Sequence, residues 1–221
     1  MTNSGCLVLT YCLSYGVQMD VAKMILVTGT SLVVGAGVLP AQATAPTKLP
    51  PGSIKHQNSR YWSWFAPRSW TSVDNANGIT ITSGDLRKGI DIGASGLPCA
   101  AGDSVTASVR RHFSQQRRLV RQGLRTSWRG LSMKRSRIRQ LPESGYGPGY
   151  FRQAVRVSGR TDGRAYRGRV TMDYSLANGP TYCFYRNQAL YAPAAGFRQS
   201  LRELRSVQAS ISYFAPGIPW E

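Results

Sequence analysis

From Arg110 to Arg139 the chain carries eleven cations, namely Arg110, Arg111, Arg117, Arg118, Arg121, Arg125, Arg129, Lys134, Arg135, Arg137 and Arg139, with no acid between them. A guanidinium presents a planar fork of N–H donors that matches a phosphate or a carboxylate, so the chemistry open to such a run is anion recognition. Val109, Phe113, Val120, Leu124 and Trp128 interrupt it often enough to tie it to a core, where a plain charge block would be a solvated tail. Arg117, Arg118, Arg121 and Arg125 are its candidate anion-binding residues. Four more come from the segment 151–174, where apolar and basic residues alternate. With Phe151, Gln153, Val155 and Val157 facing one way and Tyr166, Gly168, Val170, Met172 and Tyr174 sharing a face, Arg152, Arg156, Arg167 and Arg169 fall together on the side away from the core.

Covalent catalysis has less to build on. A nucleophile needs a base within reach, and outside the first 43 residues the chain has only His56 and His112, neither inside a motif; no G-x-S-x-G turn occurs. Asp74, Asp85, Asp91, Asp103, Asp162 and Asp173 could in principle supply an acid pair, but several fall in turns or caps where aspartate has local backbone roles. Cys99 and Cys183 lie too far apart, with two histidines elsewhere, for any zinc spacing, so neither metal nor cofactor is expected. The two cysteines read better as a disulfide closing a loop of about 85 residues, worth roughly 4 kcal/mol in the chain-entropy description. Trp62, Trp64 and Trp70 admit a sugar-stacking platform, although the period-2 spacing of the first two suits a core strand.

These residues need a scaffold, and the periodicity predicts an α+β fold: an antiparallel sheet, an early helix, and a C-terminal amphipathic helix packed on that sheet. Short strands are expected at 61–65, 78–82 and 88–92. A helix over 104–118, capped by Asp103 or Ser104, precedes a strand at 128–133, a hairpin of 151–158 with 166–174 turning through Gly159–Gly163, and a strand at 181–185. Phe197, Leu201, Leu204, Ile211 and Phe214 share a helical stripe, so the last helix is expected to run on toward Phe214.

The compartment is read from residues 24–43, an apolar run ending in Ala41-Gln42-Ala43, which has the form of a signal peptide cleaved after Ala43. Met24 to Leu39 is shorter than the ~20 residues of a membrane span and contains three glycines, so no integral span is expected in the mature chain. Residues 44–60, with Pro46, Pro50, Pro51 and Gly52, read as a linker, and residues 61–221 as a single domain. Lysine and arginine number 28 against 10 acids, a formal charge of +18, which draws polyanions and speaks to association, not to fold.

An order of strands, helix, antiparallel strands and closing helix, introduced by Phe65-Ala66-Pro67-Arg68-Ser69-Trp70, resembles the PsbP-like fold of photosystem extrinsic proteins and small secreted bacterial proteins. The resemblance implies a binding or accessory role more than catalysis, and it transfers no site residue. The expectation is a secreted or envelope-associated, non-enzymatic domain whose arginine-rich face binds an anionic envelope polymer or anionic lipid surface. Nucleic acid fits the residue types but not the compartment. The rivals are an envelope hydrolase with unlocated acids and a protein-partner accessory module.

Overall fold

The computed structural model describes residues 48–57, 62–75, 78–98, 104–141, 149–175 and 182–213. Residues 24–43 and Cys99, on which the export and disulfide expectations rest, lie outside the described residues. The elements in chain order are β1 (Ser53–Gln57), β2 (Trp62–Pro67), β3 (Thr71–Asn75), β4 (Gly78–Thr82), β5 (Gly89–Pro98), α1 (Val105–Arg125), β6 (Arg129–Arg135), β7 (Arg139–Leu141), β8 (Tyr150–Thr161), β9 (Arg164–Ser175), β10 (Tyr182–Pro193), α2 (Phe197–Ala209) and β11 (Ser212–Tyr213). The fold is α+β, with antiparallel sheets, an early helix and a C-terminal helix. An eight-stranded sheet runs β3-β4-β5-β10-β9-β8-β6, with β7 also paired to β8, and a small sheet runs β1-β2-β11.

Because side chains alternate across a sheet, the long strands feed two cores. On one face α1 buries Val109, Phe113, Val120 and Leu124 against Val155, Val157, Val170 and Met172. On the other, Leu204 and Val207 of α2 and Trp62, Trp64 and Trp70 pack on Ile79, Ile81, Ile90 and Ile92. Strand β10 serves both, sending Tyr185, Ala189 and Tyr191 to the first core and Leu190 and Ala192 to the second. The three tryptophans are thus core residues, 2–8% exposed, and form no sugar platform.

The alternation expected for 151–174 is the one observed, with Gln153, Val155, Val157, Tyr166, Val170, Met172 and Tyr174 buried. The turn is tighter than Gly159–Gly163: Thr161 pairs with Arg164, leaving Asp162 and Gly163 at φ 49° and 74°. Two consecutive positive φ values match the right-handed twist of the arms, and Asp-Gly is among the dipeptides that adopt them most readily.

Helix α1 runs past residue 118 to Arg125, because Val120 and Leu124 continue the buried stripe through the arginines. Its first turn is capped by Ser104, whose side chain accepts from the Ala107 amide at 3.3 Å. Helix α2 stops short of Phe214. Ser210 closes it, donating to Val207 O at 2.7 Å, and its Oγ accepts from the Phe65 amide at 2.9 Å, so the chain leaves the helix to pair β11 with β2. Strand β1 falls inside the stretch read as a linker; it has little apolar pattern of its own and is a strand because it pairs with β2 from Ser53 to Gln57. Strand β10 is twelve residues long where a short strand over 181–185 was expected, since it pairs with β5 and β9 along its length.

Candidate functional site

Ser114, Arg117, Arg118 and Arg121 follow one another at the spacing of a single helical face, beside the buried stripe of α1. Strand β6 runs under them. Its register sets Met133 opposite Val157 and Arg135 opposite Val155, so both side chains point to the α1 side of the sheet. Together these residues and Val155 line a groove of about 370 Å³ with an apolar floor and a guanidinium wall. Arg117 is held in place: its Nη1 donates to Gln153 Oε1 at 2.5 Å, and Gln153 Nε2 donates to Ser136 O at 3.0 Å. Burial, and then the positive charge of Arg135, lower the Arg117 pKa. Among the described residues, none of Arg117, Arg118, Arg121 and Arg135 has a carboxylate partner.

Three of the four helix candidates therefore converge, while Arg125 does not line the groove; it sits exposed in the last turn of α1, where a cation meets the negative end of the helix dipole. Arg135, not among the residues singled out from the sequence, completes the wall. Its signal was the alternation of β6, legible only once the pairing of β6 with β8 is known.

The hairpin arginines point the other way. Arg156 stands directly opposite Arg169, and Arg167 opposite Ser158, on the face away from α1. Lys134 is opposite Arg156 on its other side. Burial lowers the Arg169 pKa, and the charges of Arg205 on α2, Arg152 and Arg156 lower it further, so α2 adds Arg205 to this cluster. Arg152 is a correction: it is not a free anion-binding group, because it lies opposite Asp173 and holds that carboxylate in two hydrogen bonds, Nε to Oδ1 at 2.7 Å and Nη2 to Oδ2 at 3.1 Å. Arg186 donates to the same Oδ2 at 3.0 Å. The hydrogen bond to Asp173 is the main reason the Arg152 pKa is raised. The eight candidates are thus not one surface. The sheet separates Arg117, Arg118 and Arg121 from Arg156, Arg167 and Arg169.

The groups weighed for catalysis are scattered. His112 packs against Tyr174, Tyr185 and Phe113 at centroid distances of 4.6, 5.2 and 5.9 Å, and burial lowers its pKa to about 4. His56 lies in β1, stacked on Trp64 with its Nε2 3.1 Å from Ala66 O. Asp91 lies on the α1 side of β5, opposite Thr80 and Ala189, and is 6% exposed. Burial raises its pKa to about 7, the Thr80 hydroxyl acting in the opposite sense, and neither carboxyl oxygen completes a hydrogen bond. Asp173 projects from the other face, so these two buried aspartates cannot act as a pair. Among the described residues no three His, Cys, Asp or Glu side chains gather where they could hold a metal. Cys183 is buried, and its sulfur accepts from Tyr174 Oη at 2.8 Å. No helix among the described residues is long and apolar enough to cross a membrane.

No known family profile matches the sequence, and no curated protein does. Fold comparison finds a cyanobacterial PsbP from Synechocystis (12% identity, 83% of this chain and 99% of that one, TM-score 0.40). It also finds LpqN, involved in cell envelope biogenesis of Mycobacterium tuberculosis (9% identity, 74% and 90%, TM-score 0.41). The yeast Ran-binding protein Mog1p is similar at 9% identity, over 68% of this chain and 88% of that one, with a TM-score of 0.36. Against a Bacteroides thetaiotaomicron protein the chain covers 47% of that protein's length, at 12% identity and a TM-score of 0.38 over 72% of this chain. A PsbP is thus among the proteins this chain weakly resembles, as the order of elements suggested. Likeness at this level transfers no function to this chain.

Proposed function

We propose that this protein is a non-enzymatic, exported domain that binds a phosphate-rich anionic polymer or an anionic lipid surface of the cell envelope through the groove between α1 and β6. In this reading the leader is removed after Ala43, the folded body acts as one domain, and a disulfide joins Cys99 to Cys183. Support for the bridge comes from the ladder, since it pairs Pro98 with Tyr182, the sequence neighbours of the two cysteines.

The observation that carries the proposal is the convergence of Arg117, Arg118, Arg121 and Arg135 on one groove with no carboxylate partner among the described residues. The helix and the strand fix the four Cα positions and Gln153 holds the Arg117 guanidinium, so part of the ordering an anion would otherwise impose is already in place. The apolar floor of Met133 and Val155 lowers the local dielectric and strengthens each contact. Titration of the mature protein with long-chain polyphosphate and with phosphatidylglycerol vesicles over a series of salt concentrations tests the proposal. Binding must fall steeply with salt, as counterion release requires. Retention that is absent, or insensitive to salt, overturns it.

A further inference from the structure

The two arginine sets lie on opposite faces of the large sheet, yet they are not isolated from each other. Strand β6 ends the eight-stranded order, and β7 pairs, among the described residues, only with β8, so these two strands form one edge. That edge is basic on both sides. Arg135, opposite Val155, turns toward α1, whereas its neighbour Lys134, opposite Arg156, turns to the far face. Arg139 of β7 is opposite Arg152 and joins the far face, and Arg137 is exposed in the short connection between the two strands.

Resting on the anion-binding reading, we infer that the ligand is a flexible phosphate-rich polymer that wraps this edge, running from the α1 groove over β6 and β7 to the open hairpin face. The path begins at Arg117, Arg118 and Arg121, crosses at Arg135, Arg137 and Lys134, and ends at Arg156, Arg167, Arg169 and Arg205. A flat membrane reaches one face of a sheet at a time, because side chains on alternate positions point in opposite directions. A single extended chain can follow both. The far face is not neutralised by its own acid: both oxygens of Asp173 are occupied by Arg152 and Arg186, which leaves Arg156, Arg167, Arg169 and Lys134 unopposed among the described residues. The edge also suits an unstructured partner. The unpaired backbone groups of an edge strand invite another strand, and basic side chains there repel a second basic copy of this chain while admitting an anion.

Linking two moderate sites on one polymer makes the second contact intramolecular, so each face contributes avidity that the other cannot replace. The test uses the full mature chain with tripolyphosphate, long-chain polyphosphate and vesicles of phosphatidylglycerol in phosphatidylcholine, followed by calorimetry across a salt series. Three variants are compared with it: R117Q/R118Q/R121Q in the groove, R156Q/R167Q/R169Q on the open face, and K48Q/K55Q/R68Q, which removes the same charge from exposed positions off the path. Circular dichroism establishes that each is folded.

Each on-path variant is expected to weaken long-chain binding at least about tenfold and to flatten the salt dependence by roughly two units of slope. Tripolyphosphate, too short to turn the edge, responds to the groove variant alone, and the off-path variant changes little. If the open-face variant binds long-chain polyphosphate as the parent does while the groove variant does not, wrapping is overturned and the groove reading survives. If vesicles bind as tightly as the polymer and lose affinity in both on-path variants, or if the off-path variant is as weak as they are, wrapping is also overturned. If the parent binds none of the three probes, the anion-binding reading itself falls.

Discussion

The groove under α1 and the open face of the hairpin are made from the same residue type, and they keep it in place by different means. In the groove, arginines are fixed by backbone geometry: a helical face, one strand position, and a single neutral hydrogen bond from Arg117 to Gln153. On the hairpin face, the most buried part is organised by a charge, with Asp173 1% exposed between Arg152 and Arg186. The difference separates structural arginines from available ones. A guanidinium that answers a buried carboxylate belongs to the stability of the sheet, whereas one crowded by other cations has no carboxylate among the described residues to answer.

The largest effect that would break this contrast is Asp173→Asn. Removing the carboxylate leaves Arg152 and Arg186 partly buried without their counter-charge, and we expect a loss of about 3 kcal/mol in urea unfolding. Gln153→Leu, which removes the neutral partner of Arg117, is expected to cost less, about 1 kcal/mol. A reversed order would mean that the groove, not the hairpin, holds the structural charge.

The buried acid on the α1 side provides the next test. Asp91 has a folded pKa of about 7, above its ordinary value of 3.8. The folded state therefore holds its proton more tightly than the unfolded one, and this group's stabilising effect is complete at low pH and is lost as pH rises from about 4 through 7. Asp91→Asn is expected to raise the melting temperature at pH 8 by roughly 3 °C or more and to leave it nearly unchanged near pH 4. His112 has the opposite slope. Its folded pKa of about 4 lies below the ordinary 6.5, so its contribution is lost as pH falls from about 6.5 through 4. Thermal scans of Asp91→Asn and of His112→Asn across this range read the two contributions separately.

The smallest expected effect sharpens the comparison most directly. Arg156 and Arg169 face each other as like charges across the ladder. Arg156→Glu turns repulsion into attraction and is expected to stabilise the fold by ~0.5 kcal/mol while weakening long-chain polyphosphate binding. Greater stability with weaker binding is the outcome that marks Arg156 as held for an anion; a loss of stability would place it with Arg152 as a structural group.

Much of the fold was legible because periodicity is local. The alternation of Phe151 to Ser158 and of Tyr166 to Tyr174 named the buried face of β8 and β9, and Val109 and Phe113 named the start of the buried stripe of α1, which Val120 and Leu124 carry past the expected end at 118. What lacked a local signal was missed. Strand β1 exists through its partner β2, and β11 replaces an expected last turn of helix because Ser210 bonds to Phe65, far away in sequence. For the site, Arg117, Arg118 and Arg121 were legible as unopposed cations, but Arg121 lay beyond the expected helix end, and their common face emerged only because α1 runs on to Arg125. The withdrawal of Arg152 was not legible, since Asp173 lies 21 residues away and meets it only through the register.

What the residue order alone determined is the α+β class, the excess of positive charge, and the side of the hairpin strands on which Arg152, Arg156, Arg167 and Arg169 stand, since these depend on composition and on short periods. Only the tertiary structure decided which way that side looks relative to the helix arginines. The register of β6 on β8, and the packing of α1 on one face and α2 on the other, put the helix and hairpin arginines on opposite sides of a sheet and joined them around its edge. Long-range pairing of this kind is a property of the whole folded chain, because it is set by how the two cores bury their apolar faces against a shared sheet.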